Sequence, residues 1–275
     1  MSTDAGSYDF KDIHEREKEL SRLNKQAQIA IELEKKYWGA LGLKSGASVV
    51  DLASGSGLVT IELAKFITPG QVTGVELSPE LFATAQENKK KSGIDNVDFI
   101  NGNIYNLNLE DNHYDFAYAR FLLQHLEDPI KAIGNVLPVL KPEGMFCIVD
   151  VDDAWLSLSP LEDEFCRFTQ LAADGQKKNG GDRFVGHKVG NFMQQAGFYL
   201  VSTQVQVITS KDIGLKNFLD ITTGFKIKQV AKENLDEATS LLQKIYESIN
   251  LPYAWGGVGV FITTGCKASA VINCV

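Results

Sequence analysis

The sequence predicts an α/β protein: a doubly wound, seven-stranded, mostly parallel sheet with an N-terminal helical lid and helical cap insertions. Two observations carry this. After residue 46 short buried runs alternate with amphipathic segments, and the first run empties into a glycine-rich turn that opens a helix.

Residues 15–38 read as a helix, because Leu20, Leu23, Ala27, Ile31 and Trp38 fall on one stripe with charges between them. Leu43-Lys44-Ser45-Gly46 is a turn. The runs 48–52, 71–76, 97–101, 114–119 and 144–151 are strands, and 59–66, 79–92 and 129–140 are the helices between them. Asp128 can cap the last of these, and Pro129 sits where its missing N–H costs nothing. Lys141-Pro142-Glu143-Gly144 ends it. Further on, 161–178, 188–196, 213–225 and 234–249 read as helices, with Asn234 and Glu237 forming a capping box. Segments 198–208 and 257–265 complete the strands. Thus 1–44 is the lid, 45–153 the ligand-binding core, and 154–275 the cap elements with the last two strands, all in one globular unit.

Composition narrows the function. Of 275 residues 44% are hydrophobic, and 35 Asp plus Glu against 27 Lys plus Arg leave a net charge of −8. An acidic surface gains nothing from counterion release, so nucleic acid is not the expected partner. No run approaches the roughly 20 apolar residues of a membrane span, and residues 1–8 lack the basic and apolar regions of a leader. Cys147, Cys166, Cys266 and Cys274 have no C-x-x-C spacing, so the expectation is reduced thiols in a cytoplasmic protein.

The sharpest local signal is Val49-Val50-Asp51-Leu52-Ala53-Ser54-Gly55-Ser56-Gly57. Its small residues let a ligand approach the backbone while the next helix directs its amides inward. It is no phosphate loop, lacking Gly-Lys-Ser/Thr, and a poor dinucleotide fingerprint, lacking G-x-G-x-x-G. Glu76 ends the second strand, where a carboxylate can accept bonds from two ribose hydroxyls. Asn103 follows the third, where its amide can pair with an adenine edge.

The segment from about Gly46 to Asp152 resembles a class I S-adenosylmethionine-dependent methyltransferase of the small-molecule type, close to the ubiquinone/menaquinone methyltransferase-like group. The motifs, in order, are Asp51 to Gly57; Gly74-Val75-Glu76-Leu77-Ser78-Pro79; Gly102-Asn103-Ile104; Tyr114-Asp115-Phe116 through Gln124-His125-Leu126; and Val139 to Gly144. The resemblance implies a Rossmann-like fold, S-adenosylmethionine as cofactor, and a small-molecule acceptor. It puts Asp51, Ala53, Ser54, Gly55, Gly57, Glu76, Leu77, Asn103, Ile104 and Arg120 at the cofactor. Two positions depart from the family pattern. Ala53 replaces the usual first glycine, tolerable at negative φ, and Asn103 replaces an acid, which is expected to weaken binding by ~1 kcal/mol.

Arg22-Leu23 with Gln26 echoes the family's covering helix; Arg22 can meet the cofactor carboxylate or a neighbouring acid. Tyr8, Phe10 and Tyr37 are candidate lid aromatics, and Trp38 is expected in the core. A sulfonium methyl is already activated, so the protein must align a nucleophile and exclude water. His125 is the candidate catalytic base, or else orders its loop. Arg120 can also clamp an anionic substrate or pair with Asp150, Asp152 or Asp153. That acidic run is expected to serve substrate contacts rather than a metal, since the aspartate-asparagine pair of metal-dependent catechol methyltransferases is missing. His14 and His187 are outside candidates, and His113 reads as surface. Tyr8, Gln124, Asp152, Trp155 and Phe218 are candidate acceptor contacts. Cap aromatics, also including Phe165, Phe168, Phe225 and Tyr253, suit a medium-sized, partly apolar metabolite, with quinone precursors and specialised metabolites both fitting. An NAD-dependent oxidoreductase and a non-catalytic methyltransferase-like binding protein are the competing readings. Oxygen, nitrogen and carbon acceptors stay open, as do monomer and homodimer.

Overall fold

The protein is described here by a computed structural model covering residues 13–269. Tyr8, Phe10 and Cys274 lie outside the described residues. The elements, in chain order, are α1 (Ile13–Trp38), β1 (Ser48–Leu52), α2 (Leu58–Ile67), β2 (Gln71–Glu76), α3 (Pro79–Ser92) and β3 (Val97–Asn101). Then come β4 (Tyr114–Arg120), α4 (Pro129–Gly134), β5 (Leu140–Ser159), α5 (Glu162–Lys178), α6 (Val189–Gln195) and β6 (Tyr199–Thr209). Last are α7 (Ser210–Ile213), α8 (Leu215–Thr222), α9 (Leu235–Glu247) and β7 (Trp255–Cys266).

The seven strands form one sheet in the order β3-β2-β1-β4-β5-β7-β6. Neighbours from β3 through β5 pair in parallel, and β7 runs antiparallel to both β5 and β6. Chain order reverses between β1 and β4, the crevice where such sheets bind ligands. Burial on both faces explains why Val49, Val50 and Leu52 of β1 are all apolar rather than alternating with polar residues. Val49 packs with Trp38 and Leu63 on one side, and Val50 packs with Ile133 and Val189 on the other. A third cluster, including Phe165, Phe168, Phe218 and Ile245, makes the cap.

Four local expectations need correction. The helix predicted over 129–140 stops at Gly134, where Asn135 N–H bonds back to Lys131 O. Val136, Val139 and Leu140 are buried all the same, as the turn that feeds β5, so burial mimicked helical spacing. The strand predicted over 144–151 runs from Leu140 to Ser159, its register shifting between Val151 and Leu156 before pairing resumes on β7. The helix predicted over 213–225 is split by Gly214, whose φ of 81° ends α7 and starts α8. Asn234 makes no side-chain cap on α9, and Glu237 instead grips Arg167 at 2.7 and 2.9 Å. The Asp128 cap does form, accepting from Lys131 N at 3.0 Å.

Candidate functional site

The rim formed by the carboxyl ends of the strands has two halves. On the β1–β3 side, Ser54 N donates to Val75 O, drawing the loop after β1 across the end of β2. Glu76 then fastens it: Oε2 accepts from Gly55 N at 2.8 Å, and Oε1 accepts from Ser78 N at 2.9 Å. Burial pushes the Glu76 carboxyl above the usual range, opposed by the amides of Ser78, Gly55 and Leu77. Gly57 turns into α2 with φ 76°, and a Cβ there would come within 2.5 Å of the Phe99 ring. Gly55 differs: a Cβ on it would meet nothing within 4 Å, so its outer face opens on unfilled space. Beside it the buried Ser54 hydroxyl has no hydrogen-bond partner. A carboxylate with lone pairs to spare, an open backbone and an unmatched hydroxyl together fit a ribose with vicinal hydroxyls.

Ala53 has φ 58°, not the negative φ at which its methyl was expected to be tolerated. That is the left-handed region, which alanine holds at a cost of about 1 kcal/mol. Asp51 is buried, and its Oδ2 accepts from Thr60 Oγ1 at 2.6 Å, pinning α2 to β1. Burial pushes its carboxyl up to about 7, with Thr60 and Arg120 opposing. Asn103 uses Oδ1 to cap the turn at Tyr105 N, 2.9 Å away. Ile104 is buried, with its carbonyl bound by Asn135, whereas Leu77 is exposed and gives its carbonyl to Asn101.

On the β4–β5 side a narrow cavity of about 60 Å³ lies under the cap. Ile29, Leu156, Phe218, Ile221, Val258 and Val260 supply its apolar wall, and Arg120, Gln124, Asp153 and Arg183 its polar end. Arg120 does not pair with the acidic run within β5. Its Nε donates to Glu34 Oε1 of α1 at 2.6 Å, and Tyr118 OH donates to Glu34 Oε2 at 2.7 Å. Phe121 follows with φ 53°, a strained conformation for a bulky side chain, and its ring stacks 4.1 Å under the Arg120 guanidinium.

The acidic run is committed residue by residue. Asp150 accepts from Leu123 N, Gln124 N and Gln124 Nε2, so it shapes the turn after β4; burial pushes its carboxyl up to about 7. Asp152 takes His187 Nδ1 at 2.5 Å and Ala154 N at 2.9 Å. Asp153 takes Arg183 through both oxygens and Lys226 Nζ at 2.7 Å. Against its burial, those two cations hold the Asp153 carboxyl below the usual range, while burial pushes the Lys226 ammonium down. Among the described residues no three His, Cys, Asp or Glu side chains converge as a metal site.

Gln124 lies inside this network: its Oε1 accepts from Arg183 Nη1 and its carbonyl from Gln176 Nε2. His125 is not on the cavity wall. Burial, then Arg183 and Arg22, push its imidazole down to about 3, with Glu19 opposing. It is therefore neutral at pH 7 and far weaker as a base than the near-neutral imidazole expected from sequence. Arg22 pairs with Glu19 at 2.5 Å and covers the Phe225 ring at 4.2 Å. Phe218 and Phe225 line the cavity, whereas Phe165 and Phe168 are wholly inside the cap. Trp155 and Tyr253 are exposed, and Trp155 packs edge-on against Phe261. Because Val260 faces the cavity, strand alternation puts Phe261 and Trp155 on the other face. Tyr37 bonds Gln206, Trp38 is core, and His113 pairs with Glu110 at the surface. Sequence reasoning missed Glu34, Arg183 and Lys226, which sit in no local motif.

Residues 43–234 match a family profile described as a methyltransferase domain. An uncharacterized methyltransferase of Schizosaccharomyces pombe is 34% identical over 128 residues, 44% of this chain and 46% of that protein. A demethylmenaquinone methyltransferase of Staphylococcus aureus is 31% identical over 117 residues, 42% of this chain and 48% of that one. The chain thus spans about half the length of the curated relatives it matches. The YcgJ protein of Bacillus shares the fold at a TM-score of 0.60 and 17% identity, covering 87% of this chain and 98% of that one.

Proposed function

The chain belongs to the methyltransferase-domain family, and from that premise we propose that it is an enzyme transferring a methyl group from S-adenosylmethionine to a medium-sized, partly apolar small molecule. When bound, the cofactor supplies a sulfonium methyl already activated for transfer. The chain's part is to hold the nucleoside, present the acceptor and keep water out. The observation that carries the reading is the Glu76 carboxylate, fastened by Gly55 N and Ser78 N beside the open face of Gly55 and the unmatched Ser54 hydroxyl. Glu76 would hold the ribose, and the amides opening α2 would face the homocysteine part. The acceptor would enter the cavity under the cap, whose lining includes Phe121 and Gln124. His125, off the cavity wall and neutral at pH 7, would act on the acceptor only through the loop that it helps to order. A quinone-type or other specialised metabolite, met in the cytoplasm, suits the apolar wall, and the named Staphylococcus relative points the same way. No helix among the described residues is long and apolar enough to cross a membrane.

Calorimetry on the cofactor-stripped full chain tests the reading. S-adenosylhomocysteine should bind at micromolar or tighter Kd and NAD should not; tighter binding of NAD would overturn it.

A further inference from the structure

We infer that the acceptor carries an oxyanion, such as a carboxylate, enolate or phenolate, on an apolar body, and that Arg120 Nη2 is the donor that receives it. This inference rests on the methyl-transfer reading and adds the chemistry of the substrate.

Arg120 is half of a buried ion pair whose geometry leaves one edge unused. Its Nε is taken by Glu34 Oε1 at 2.6 Å, whereas Nη2 is buried and has no hydrogen-bond partner. A guanidinium N–H left unmatched in a buried setting costs free energy unless a ligand completes it. Arg120 is among the residues that line the cavity, and a small shift of the cavity wall would open its Nη2 edge to the ligand's oxyanion. The strained Phe121 backbone puts its ring under the same guanidinium and keeps the planar group from swinging away.

The other charges around the cavity select the sign. Among the described residues its one lining carboxylate, Asp153, is saturated by three cation contacts, from Arg183 Nε, Arg183 Nη2 and Lys226 Nζ. Glu34 is spent on Arg120 and Tyr118. Two cations therefore surround one carboxylate at the inner end, with the unmatched Arg120 edge beside them. An ammonium entering here would find no acidic group to receive it, whereas an oxyanion would find a fixed, desolvated donor. His125 senses the same field: after burial, Arg183 and Arg22 are what hold its imidazole neutral. Apart from Gln26 and Thr222 the remaining wall is apolar, which fits a ring or chain rather than a sugar or phosphate.

The test uses three probes of one shape and different charge: naphthoate, naphthalenemethanol and naphthylmethylammonium. Each is titrated calorimetrically into the full chain saturated with S-adenosylhomocysteine. Naphthoate should bind at least ~10-fold tighter than the other two. Arg120→Gln should abolish that preference. Arg120→Lys keeps a charge for Glu34 but loses the planar fork, so it should cut the preference to roughly threefold; it decides the matter if Arg120→Gln does not fold. Equal binding of the three probes, tightest binding of the ammonium, or an unchanged preference in Arg120→Lys would overturn the inference. So would a tenfold loss of S-adenosylhomocysteine affinity in Arg120→Lys, because Nη2 would then serve the cofactor. Failure of wild-type protein to bind S-adenosylhomocysteine would instead overturn the underlying methyl-transfer reading.

Discussion

The two halves of the strand rim are built by different means. The β1–β3 half is the more local: backbone amides and the Glu76 carboxylate, reaching Gly55 and Ser78, fasten its loop, and Asn24 of α1 and Asn88 of α3 reach it at Ser56 from farther off. The β4–β5 half is assembled from afar: Glu34 comes from α1, Arg183 from the stretch after α5, and Lys226 from the turn after α8. The first half needs particular backbone geometry and tolerates little change in the residues that form it. The second needs only a balanced set of charges, which many residue combinations can supply. That is a physical reason for a shared cofactor site to sit beside a variable acceptor site on one sheet.

The contrast can be broken most forcefully at Asp153. Asp153→Ala leaves Arg183 and Lys226 buried without their carboxylate, so the fold should lose about 3–5 kcal/mol. Denaturant unfolding at constant m-value measures this, and a loss below about 1 kcal/mol would show that water or a rearranged partner already screens the cations.

On the local half, Glu76→Gln retains the side chain's size but gives up one of two acceptor oxygens. It should weaken S-adenosylhomocysteine binding by roughly 1–3 kcal/mol. Because Glu76 also fastens the Gly55 loop, heat should release that loop earlier in the variant than in the wild type, as read by hydrogen exchange at Gly55. An unchanged Kd in a folded variant would remove Glu76 from the site.

An effect of similar size concerns His125. Its folded pKa, about 3, lies below the ordinary 6.5, so the unfolded chain takes up the proton first. Stability from this group is therefore complete above about pH 6.5 and is lost as pH falls toward 3. His125→Asn should remove that loss, narrowing the stability difference between pH 7 and pH 4 by up to about 3 kcal/mol. An identical pH dependence in variant and wild type would mean that the imidazole is solvated and available as a base.

Ala53→Gly should have the smallest effect and the opposite sign. Relief of the left-handed alanine, less the entropy of glycine, should stabilise the fold by up to about 1 kcal/mol. A destabilised variant would mean that the methyl makes a packing contact worth more than its strain.

The same contrast explains what the sequence made legible. Strands β1 to β4 could be read because each is a short apolar run bounded by turn residues, and Glu76 because it ends one of them. Ala53 carried no sign of its positive φ, since a side chain's tolerance of a backbone state is set by the loop around it. The extension of β5 past Val151 depends on pairing with β7, about a hundred residues later, and no local pattern encodes that. The helix expected over 129–140 failed for a related reason: Val136 and Leu140 are buried by the sheet they feed. Asp152 and Asp153 were visible as an acidic run, but their partners His187, Arg183 and Lys226 were not, so substrate contact was the natural expectation and internal pairing the outcome.

The central claim is that a nucleoside cofactor sits on the β1–β3 half and the acceptor on the β4–β5 half. A crystal structure of the full chain with S-adenosylhomocysteine tests it most directly. The account predicts both ribose hydroxyls on the Glu76 carboxylate at about 2.7 Å, with the cofactor sulfur turned toward the cavity that Phe121 and Gln124 help to line. A ribose bound away from Glu76, or an adenosyl group filling the cavity beneath the cap, would contradict it.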